Sequence, residues 1–165
     1  MKKHIVVVSI VAAISLVAGG FAWNQNSEAP VSTFILLDGS QRPSSDLQGK
    51  VTLVSFWATS CVSCVAEMPK LVSTYEKYKS QGYGTVAVAM AYDPPSYVVN
   101  FVQTRKLPFD VAIDNTGAVA KAWGDVQLTP TSYLVNKQGE IVKRYVGEPN
   151  MQELHKLIEA LLKES

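Results

Sequence analysis

The chain of 165 residues contains two cysteines, Cys61 and Cys64, with two residues between them. An apolar run at 51–56 precedes the pair, and apolar residues spaced three and four apart follow it. The pair is therefore expected where a buried strand passes into a helix. A disulfide that closes so short a loop constrains the unfolded chain very little and makes a poor structural crosslink. The spacing predicts a redox-active pair.

The two cysteines are predicted to differ in role because they differ in position. Cys61 is expected just before the first helical turn, where free backbone N–H groups and the helix dipole stabilise a thiolate. A thiolate is the nucleophile of disulfide exchange, so Cys61 is predicted to attack and Cys64 to resolve the mixed disulfide. A metal half-site is the weaker alternative, because zinc needs about four ligands and the histidines, His4 and His155, lie far from the pair.

Three further residues are candidates for this site. Glu67, three residues after Cys64, is either a proton acceptor that tunes the pKa of Cys64 or an ordinary solvated helix glutamate. The spacing leaves both interpretations open. Pro130 begins a predicted strand and suggests a constrained turn, although most X–Pro bonds are trans. Trp57 either belongs to the core or covers the site.

The elements that must position these residues alternate between strands and helices. Strands are predicted at 31–37, 51–56, 86–91, 110–114, 131–135 and 141–146, and helices at 62–82, 96–106, just before 124 and after 150. Asp93 is expected to cap the second helix, with Pro94 at its first position. This order predicts an α/β fold whose sheet is parallel in the middle and antiparallel at one edge, with flanking helices.

The first 26 residues are predicted to be a signal peptide or an N-terminal membrane anchor with a linker. Lys2 and Lys3 precede a stretch at 5–23 without a single charge. Either form keeps the lysines in the cytoplasm and exports residues 27–165 as one domain. Charged residues make up 18% of the chain and the net charge is +1, with no basic block, which argues against a nucleic-acid partner.

The motif Phe-Trp-Ala-x-x-Cys-x-x-Cys-x-x-Glu-x-Pro at 56–69, together with Thr-Pro-Thr at 129–131 and a strand pair ending in Gly147, resembles the thioredoxin superfamily. The closest resemblance is to the membrane-anchored TlpA/ResA-like thiol–disulfide oxidoreductases, including those of cytochrome c maturation. It covers residues 31–162. It implies a thioredoxin-like fold with the inserted helix and strand of this subgroup at 93–114, and neither a cofactor nor a metal is expected.

The resemblance also implies roles for individual residues. The Thr129–Pro130 bond would be cis and lie against the active site, with Thr129 offering backbone hydrogen bonds to the substrate. Glu67 would be the active-site acid of the subgroup, whereas cytosolic thioredoxins carry a buried Asp at the position of Ser55. Trp57, Thr129 and Pro130 together are predicted to form the substrate-binding set.

The dipeptide Val62-Ser63 between the cysteines bears on the direction of electron flow. A strongly oxidising enzyme needs its reduced thiolate stabilised, and this dipeptide offers only a hydroxyl. We therefore expect a reductant of protein disulfides in the periplasm or on the outer face of the bacterial cytoplasmic membrane. Family analogy makes apocytochrome c the favoured substrate and a membrane protein of the DsbD/CcdA type the electron donor.

Three other functions are alternatives. A peroxiredoxin places Thr or Ser three residues before its reactive cysteine, after a Pro, and this chain has Ala58 there. A copper-delivery protein of the Sco type needs C-x-x-x-C, a spacing that this chain lacks. A redox sensor or thiol chaperone would bind partners without turnover.

Overall fold

The computed structural model describes residues 27–164, which contain a six-stranded sheet and a separate two-stranded sheet. The strands are β1 (Ser27–Glu28), β2 (Thr33–Ile35), β3 (Gln41–Pro43), β4 (Val51–Trp57), β5 (Tyr83–Ala89), β6 (Asp110–Ile113), β7 (Thr131–Val135) and β8 (Glu140–Val146). The helices are α1 (Val62–Tyr78), α2 (Pro95–Arg105), α3 (Ala118–Ala122) and α4 (Met151–Lys163), with 3₁₀ turns at Ser44–Leu47 and Lys79–Gln81.

The large sheet is mixed. Its strand order is β1-β8-β7-β4-β5-β6. β4 runs parallel to β5 and β5 parallel to β6, whereas β4 with β7, and β7 with β8, are antiparallel. The predicted α/β fold with a mixed sheet is confirmed. The expectation that the middle of the sheet is parallel is wrong, because the central pair β7–β4 is antiparallel and the parallel strands β4, β5 and β6 form one half of the sheet. The helix and strand expected at 93–114 are α2 and β6.

Strand β4 forms the centre of the molecule, and all seven of its residues are buried. Successive side chains of a strand point to opposite faces. Val51, Leu53 and Trp57 accordingly pack into one hydrophobic cluster with residues of α1, α2 and α4. Val54 and Phe56 pack into the other cluster, to which α3 contributes. A strand covered on both faces explains why its sequence is continuously apolar.

Helix α1 ends earlier than its apolar pattern predicts. The sequence indicates a helix to about Gly82, but α1 ends at Tyr78 and the chain continues as the 3₁₀ turn Lys79–Gln81. Gly82 then has a φ of 95°, in the left-handed region that favours glycine. The chain turns there into β5, so the error concerns only the last turn.

The expected cap of α2 is wrong. The residue before the first helical turn is Pro94, with no side-chain cap, and Pro95 is the first helical residue. Asp93 lies one residue before the N-cap position, so its side chain does not accept hydrogen bonds from the first N–H groups of α2. Its buried carboxylate is instead bound by Thr59, in the loop before the cysteines.

Helix α4 follows its sequence pattern closely. The side chain of Asn150 accepts hydrogen bonds from the backbone N–H groups of Gln152 and Glu153, at 3.0 and 3.2 Å. Leu154, Ile158 and Leu161 form its buried stripe. The helix therefore begins after residue 150, as predicted, and packs through this apolar stripe.

The predicted signal peptide or anchor, residues 1–26, lies outside the described residues. Within residues 27–164, no helix has the length and apolar character needed to cross a membrane.

Candidate redox site

Cys61 and Cys64 form a disulfide at the beginning of α1, with their Cα atoms 5.2 Å apart. Cys61 is the N-cap residue, in an extended conformation, and its carbonyl accepts the hydrogen bond of Val65 N–H at 3.0 Å. The backbone N–H of Cys64 points to the Cys61 sulfur, at 3.2 Å. The helix start thus supplies a donor that stabilises negative charge on Cys61.

The two sulfur-bearing residues differ in accessibility. Cys61 is half-buried, whereas Cys64 is 2% exposed. The hydroxyl of Ser63 lies 3.5 Å from the Cys61 sulfur. Val62, which follows Cys61 in the chain, points into solvent with 85% of its surface exposed. A partner molecule can therefore approach Cys61 but not Cys64.

Pro130 reaches the same edge of the sheet from another strand. In the antiparallel pairing of β4 with β7, Phe56 lies opposite Thr131. Pro130 directly precedes Thr131 in the chain and is therefore near the end of β4 from which the cysteine loop departs. The Thr129–Pro130 bond is cis, as the resemblance implies. The carbonyl of Pro130 accepts a hydrogen bond from Gly147 N–H at 2.8 Å.

Thr59 and Asp93 join the cysteine loop to the loop after β5, a contact that the sequence analysis missed. The Asp93 carboxylate accepts hydrogen bonds from the backbone N–H and the hydroxyl of Thr59, both at 2.6 Å. The predicted order of strands could have indicated this contact. Both residues follow neighbouring parallel strands, whose carboxyl ends meet at one edge of the sheet.

Glu67 is the buried acid of α1, with 1% of its surface exposed. It lies one turn beyond Cys64 on the same side of the helix. Its Oε1 atom has no hydrogen-bond partner among the described residues. Burial raises the pKa of Glu67 to about 7, with a further increase from the charge of Glu148 and an opposing effect of Lys70. The side chain can therefore change protonation state near neutral pH.

The other buried acids of residues 27–164 are both bound by hydrogen-bond donors. Asp93 is bound by Thr59, and Asp114 accepts from the backbone N–H groups of Val119 and Ala120 at 3.2 and 2.8 Å. These carboxylates are used in structure, whereas Glu67 has an unpaired oxygen. The interpretation of Glu67 as an ordinary solvated glutamate does not fit its burial.

Ser55 forms a neutral buried pair with its cross-strand neighbour Ser132. The Ser132 hydroxyl donates to the Ser55 hydroxyl at 3.0 Å. The resemblance assigns a buried carboxylate to this position in cytosolic thioredoxins. Here the buried carboxylate near the cysteines is on α1 instead.

Trp57 lies in the core. It is 1% exposed, and its ring packs against Phe101 of α2 with centroids 5.1 Å apart. The interpretation of Trp57 as a core residue agrees with this placement, and a contact between Trp57 and substrate stays a prediction. The half-buried Thr129 is nearer the surface, and its hydroxyl is 3.3 Å from that of Tyr92.

Comparison with known proteins agrees with this fold. The family model described as Redoxin matches residues 24–161. A thiol-disulfide oxidoreductase ResA of Halalkalibacterium halodurans is 34% identical over 175 aligned residues, covering 99% of this chain and 98% of the relative. The Bacillus subtilis ResA is 34% identical over 140 residues, covering 84% and 76%. A thioredoxin-like protein of Neisseria meningitidis, known from a solution structure, has 42% identity and a TM-score of 0.78, covering 85% of this chain and 93% of its own.

The fold and the disulfide at the start of α1 define a thioredoxin-like redox protein. The chain belongs to the Redoxin family, as a ResA-like thiol–disulfide oxidoreductase of the thioredoxin superfamily. The fold class, the family and the enzyme class expected from the sequence are thus confirmed.

Proposed function

We propose that this enzyme is an extracytoplasmic reductant of protein disulfides in which Cys61 attacks, Cys64 resolves and Glu67 carries the proton. The observation on which the proposal rests is the asymmetry of the pair. Cys61 is accessible and accepts a backbone hydrogen bond, whereas Cys64 is buried one turn from an acid whose pKa is about 7.

The reaction begins with the reduced enzyme. The Cys61 thiolate attacks one sulfur of the substrate disulfide, and the other substrate sulfur leaves as a thiolate and takes up a proton. Ionised Glu67 then accepts the proton of the Cys64 thiol. The Cys64 thiolate attacks the Cys61 sulfur and breaks the mixed disulfide, and the second substrate sulfur leaves as a thiolate that takes up the proton held by Glu67. Two electrons have passed to the substrate, and the enzyme ends with the Cys61–Cys64 disulfide.

A polypeptide substrate fits the surface around the disulfide. Val62, Tyr92 and Leu128 are 85%, 59% and 65% exposed. Val62 follows Cys61 in the chain, Leu128 precedes Thr129, and the Tyr92 hydroxyl lies 3.3 Å from the hydroxyl of Thr129. Exposed apolar side chains grouped near a reactive centre are typical of surfaces that bind other proteins. Apocytochrome c, with its pair of cysteines, is the favoured substrate.

We infer the location and the electron donor from the sequence of the N-terminal segment and from the family. Residues 5–23 carry no charge and follow Lys2 and Lys3, the pattern of an exported or anchored chain. In the periplasm or at the outer face of the cytoplasmic membrane, the enzyme needs electrons from the cytoplasm. A membrane protein of the DsbD/CcdA type would reduce the Cys61–Cys64 disulfide after each turnover.

The Cys64→Ser variant tests the proposal. Because it cannot resolve mixed disulfides, it should retain substrates covalently on Cys61, and mass spectrometry of these adducts from cells identifies them. The Cys61→Ser variant and the double variant are the matched controls and should retain none. Adducts that form through Cys64 in the Cys61→Ser variant would contradict the assigned roles.

Turnover separates the enzyme from its alternatives. Catalytic amounts of wild-type protein should reduce insulin disulfides when a dithiol supplies electrons, which a sensor that only binds partners would not do. Consumption of hydrogen peroxide at a comparable rate would favour the peroxidase alternative, and copper retained in stoichiometric amount would favour copper delivery.

A further inference from the structure

Lys70 and Glu148 form an ion pair that joins α1 to the segment after β8. The two side chains are 50% and 34% exposed. Glu148 follows Gly147, whose N–H donates to the carbonyl of Pro130 at 2.8 Å. The ion pair therefore connects the helix that begins at Cys61 to the backbone that holds Pro130. These are the two sides of the redox site.

The same ion pair lies next to Glu67. Lys70 follows Glu67 by three residues on α1, which places the two side chains on neighbouring turns of one face. After burial, which has the largest effect, the negative charge of Glu148 raises the pKa of Glu67 and the positive charge of Lys70 lowers it. The charged groups of residues 27–164 that act on Glu67 thus have opposite signs and are bound to each other. The cysteine pair adds charge when it is reduced and ionised.

We propose that Lys70 and Glu148 are positioning residues whose paired charges keep Glu67 able both to accept and to return a proton during exchange. This inference rests on the proposed role of Glu67 as proton carrier. An unpaired lysine beside a buried carboxyl lowers its pKa, and an unpaired glutamate raises it. The first shift makes return of the proton less favourable, and the second makes its acceptance less favourable. Because both charges are present and bound to each other, their effects on the pKa of Glu67 oppose each other.

Two single substitutions break this ion pair but act on Glu67 in opposite directions. Lys70→Gln leaves Glu148 uncompensated and should move the titration midpoint of Glu67 to higher pH. Glu148→Gln leaves Lys70 uncompensated and should move it to lower pH. A unit charge acting through partly exposed protein shifts such a midpoint by about 0.5 to 1 pH unit. The double variant should return close to the wild-type midpoint.

The midpoint can be followed without enzyme activity. Carbon-13 NMR of labelled glutamate carboxyl groups reports it in the oxidised full-length protein, with Glu67→Gln to assign the signal. The pH profile of disulfide exchange is the second measurement and should move in the same direction for each variant. Lys79→Gln is the matched control, because it breaks the Lys79–Glu76 ion pair near the other end of α1 and should leave the midpoint unchanged.

The opposite signs make the outcome decisive. Both single variants lose the ion pair between α1 and the segment after β8, so a purely structural effect would be the same in both. If the titration midpoint of Glu67 moves in the same direction in both variants, or does not move, the proposal is overturned. Opposed shifts in a protein without exchange activity would contradict the proposed function and leave the charge balance at Glu67 intact. Normal exchange without opposed shifts would contradict the charge balance alone.

Discussion

The carboxylate of Asp93 accepts two hydrogen bonds from Thr59, one from the backbone N–H and one from the hydroxyl, each 2.6 Å long. Thr59 lies two residues before Cys61, and Asp93 opens the segment at 93–114 that the resemblance identifies as an insertion. The insertion therefore holds the loop that presents the reactive cysteine. A buried carboxylate bound by two donors can fix a loop at the end of a strand.

We expect Asp93→Ala to destabilise the oxidised protein by about 1–3 kcal/mol, because it leaves the N–H and the hydroxyl of the half-buried Thr59 without their acceptor. Urea denaturation measures this loss. Thr59→Val is the matched control, since it removes the hydroxyl bond but keeps the N–H bond, and its effect should be smaller. Equal losses in the two variants would mean that the backbone bond contributes nothing.

Glu67→Gln should change the pH dependence of stability. The folded protein keeps Glu67 protonated up to about pH 7, while the ordinary value is 4.5, so unfolding releases a proton between these values. The free energy of unfolding of the wild type therefore falls as the pH rises through this window and stays lower above it. Relative to the wild type, Glu67→Gln should gain about 3 kcal/mol between about pH 4 and pH 8.

Urea denaturation of both oxidised proteins across this pH range measures the difference. Glu28→Gln, which removes a carboxyl at an exposed position of β1, serves as the control for the loss of one glutamate. A constant difference between Glu67→Gln and the wild type at all pH values would show that Glu67 titrates at its ordinary pKa in the folded protein.

In the reduced enzyme, Cys61 should react with iodoacetamide at least about tenfold faster than Cys64, because thiolates at helix N-termini are stabilised and accessible. Cys64 is 2% exposed. Peptide mapping after short labelling times distinguishes the two sites. In urea the two rates should become similar, and a faster reaction at Cys64 in the folded protein would reverse the assigned roles.

Ser55→Ala should cost about 1 kcal/mol of stability, since the buried Ser132 hydroxyl loses its acceptor. It should leave the pH profile of exchange unchanged, because the proposed proton carrier is Glu67. Ser55→Ala with Ser132→Ala should cost less than the sum of the single changes. A displaced pH profile in Ser55→Ala would indicate that position 55 takes part in proton transfer.

Local features were predictable from the sequence because their causes are local. The strand before the cysteines, the helix start at Cys61 and the Asn150 cap depend on apolar spacing and on backbone donors within a few residues. These features were enough to predict a redox pair and an attacking cysteine. The motif that carries the resemblance added the cis bond before Pro130, which the structure contains.

Features that depend on distant parts of the chain were decided only by the tertiary structure. The sequence left Glu67 open between a proton acceptor and a solvated residue, and burial together with Lys70 and Glu148 gives it a pKa of about 7. Asp93 matched a capping pattern, but folding brought a stronger partner, Thr59, from the end of the neighbouring strand. Burial and the charges of residues distant in the chain act on a side chain only once the chain is folded. The spacing of residues therefore identifies the cysteines, while the tertiary structure sets the pKa of the acid beside them.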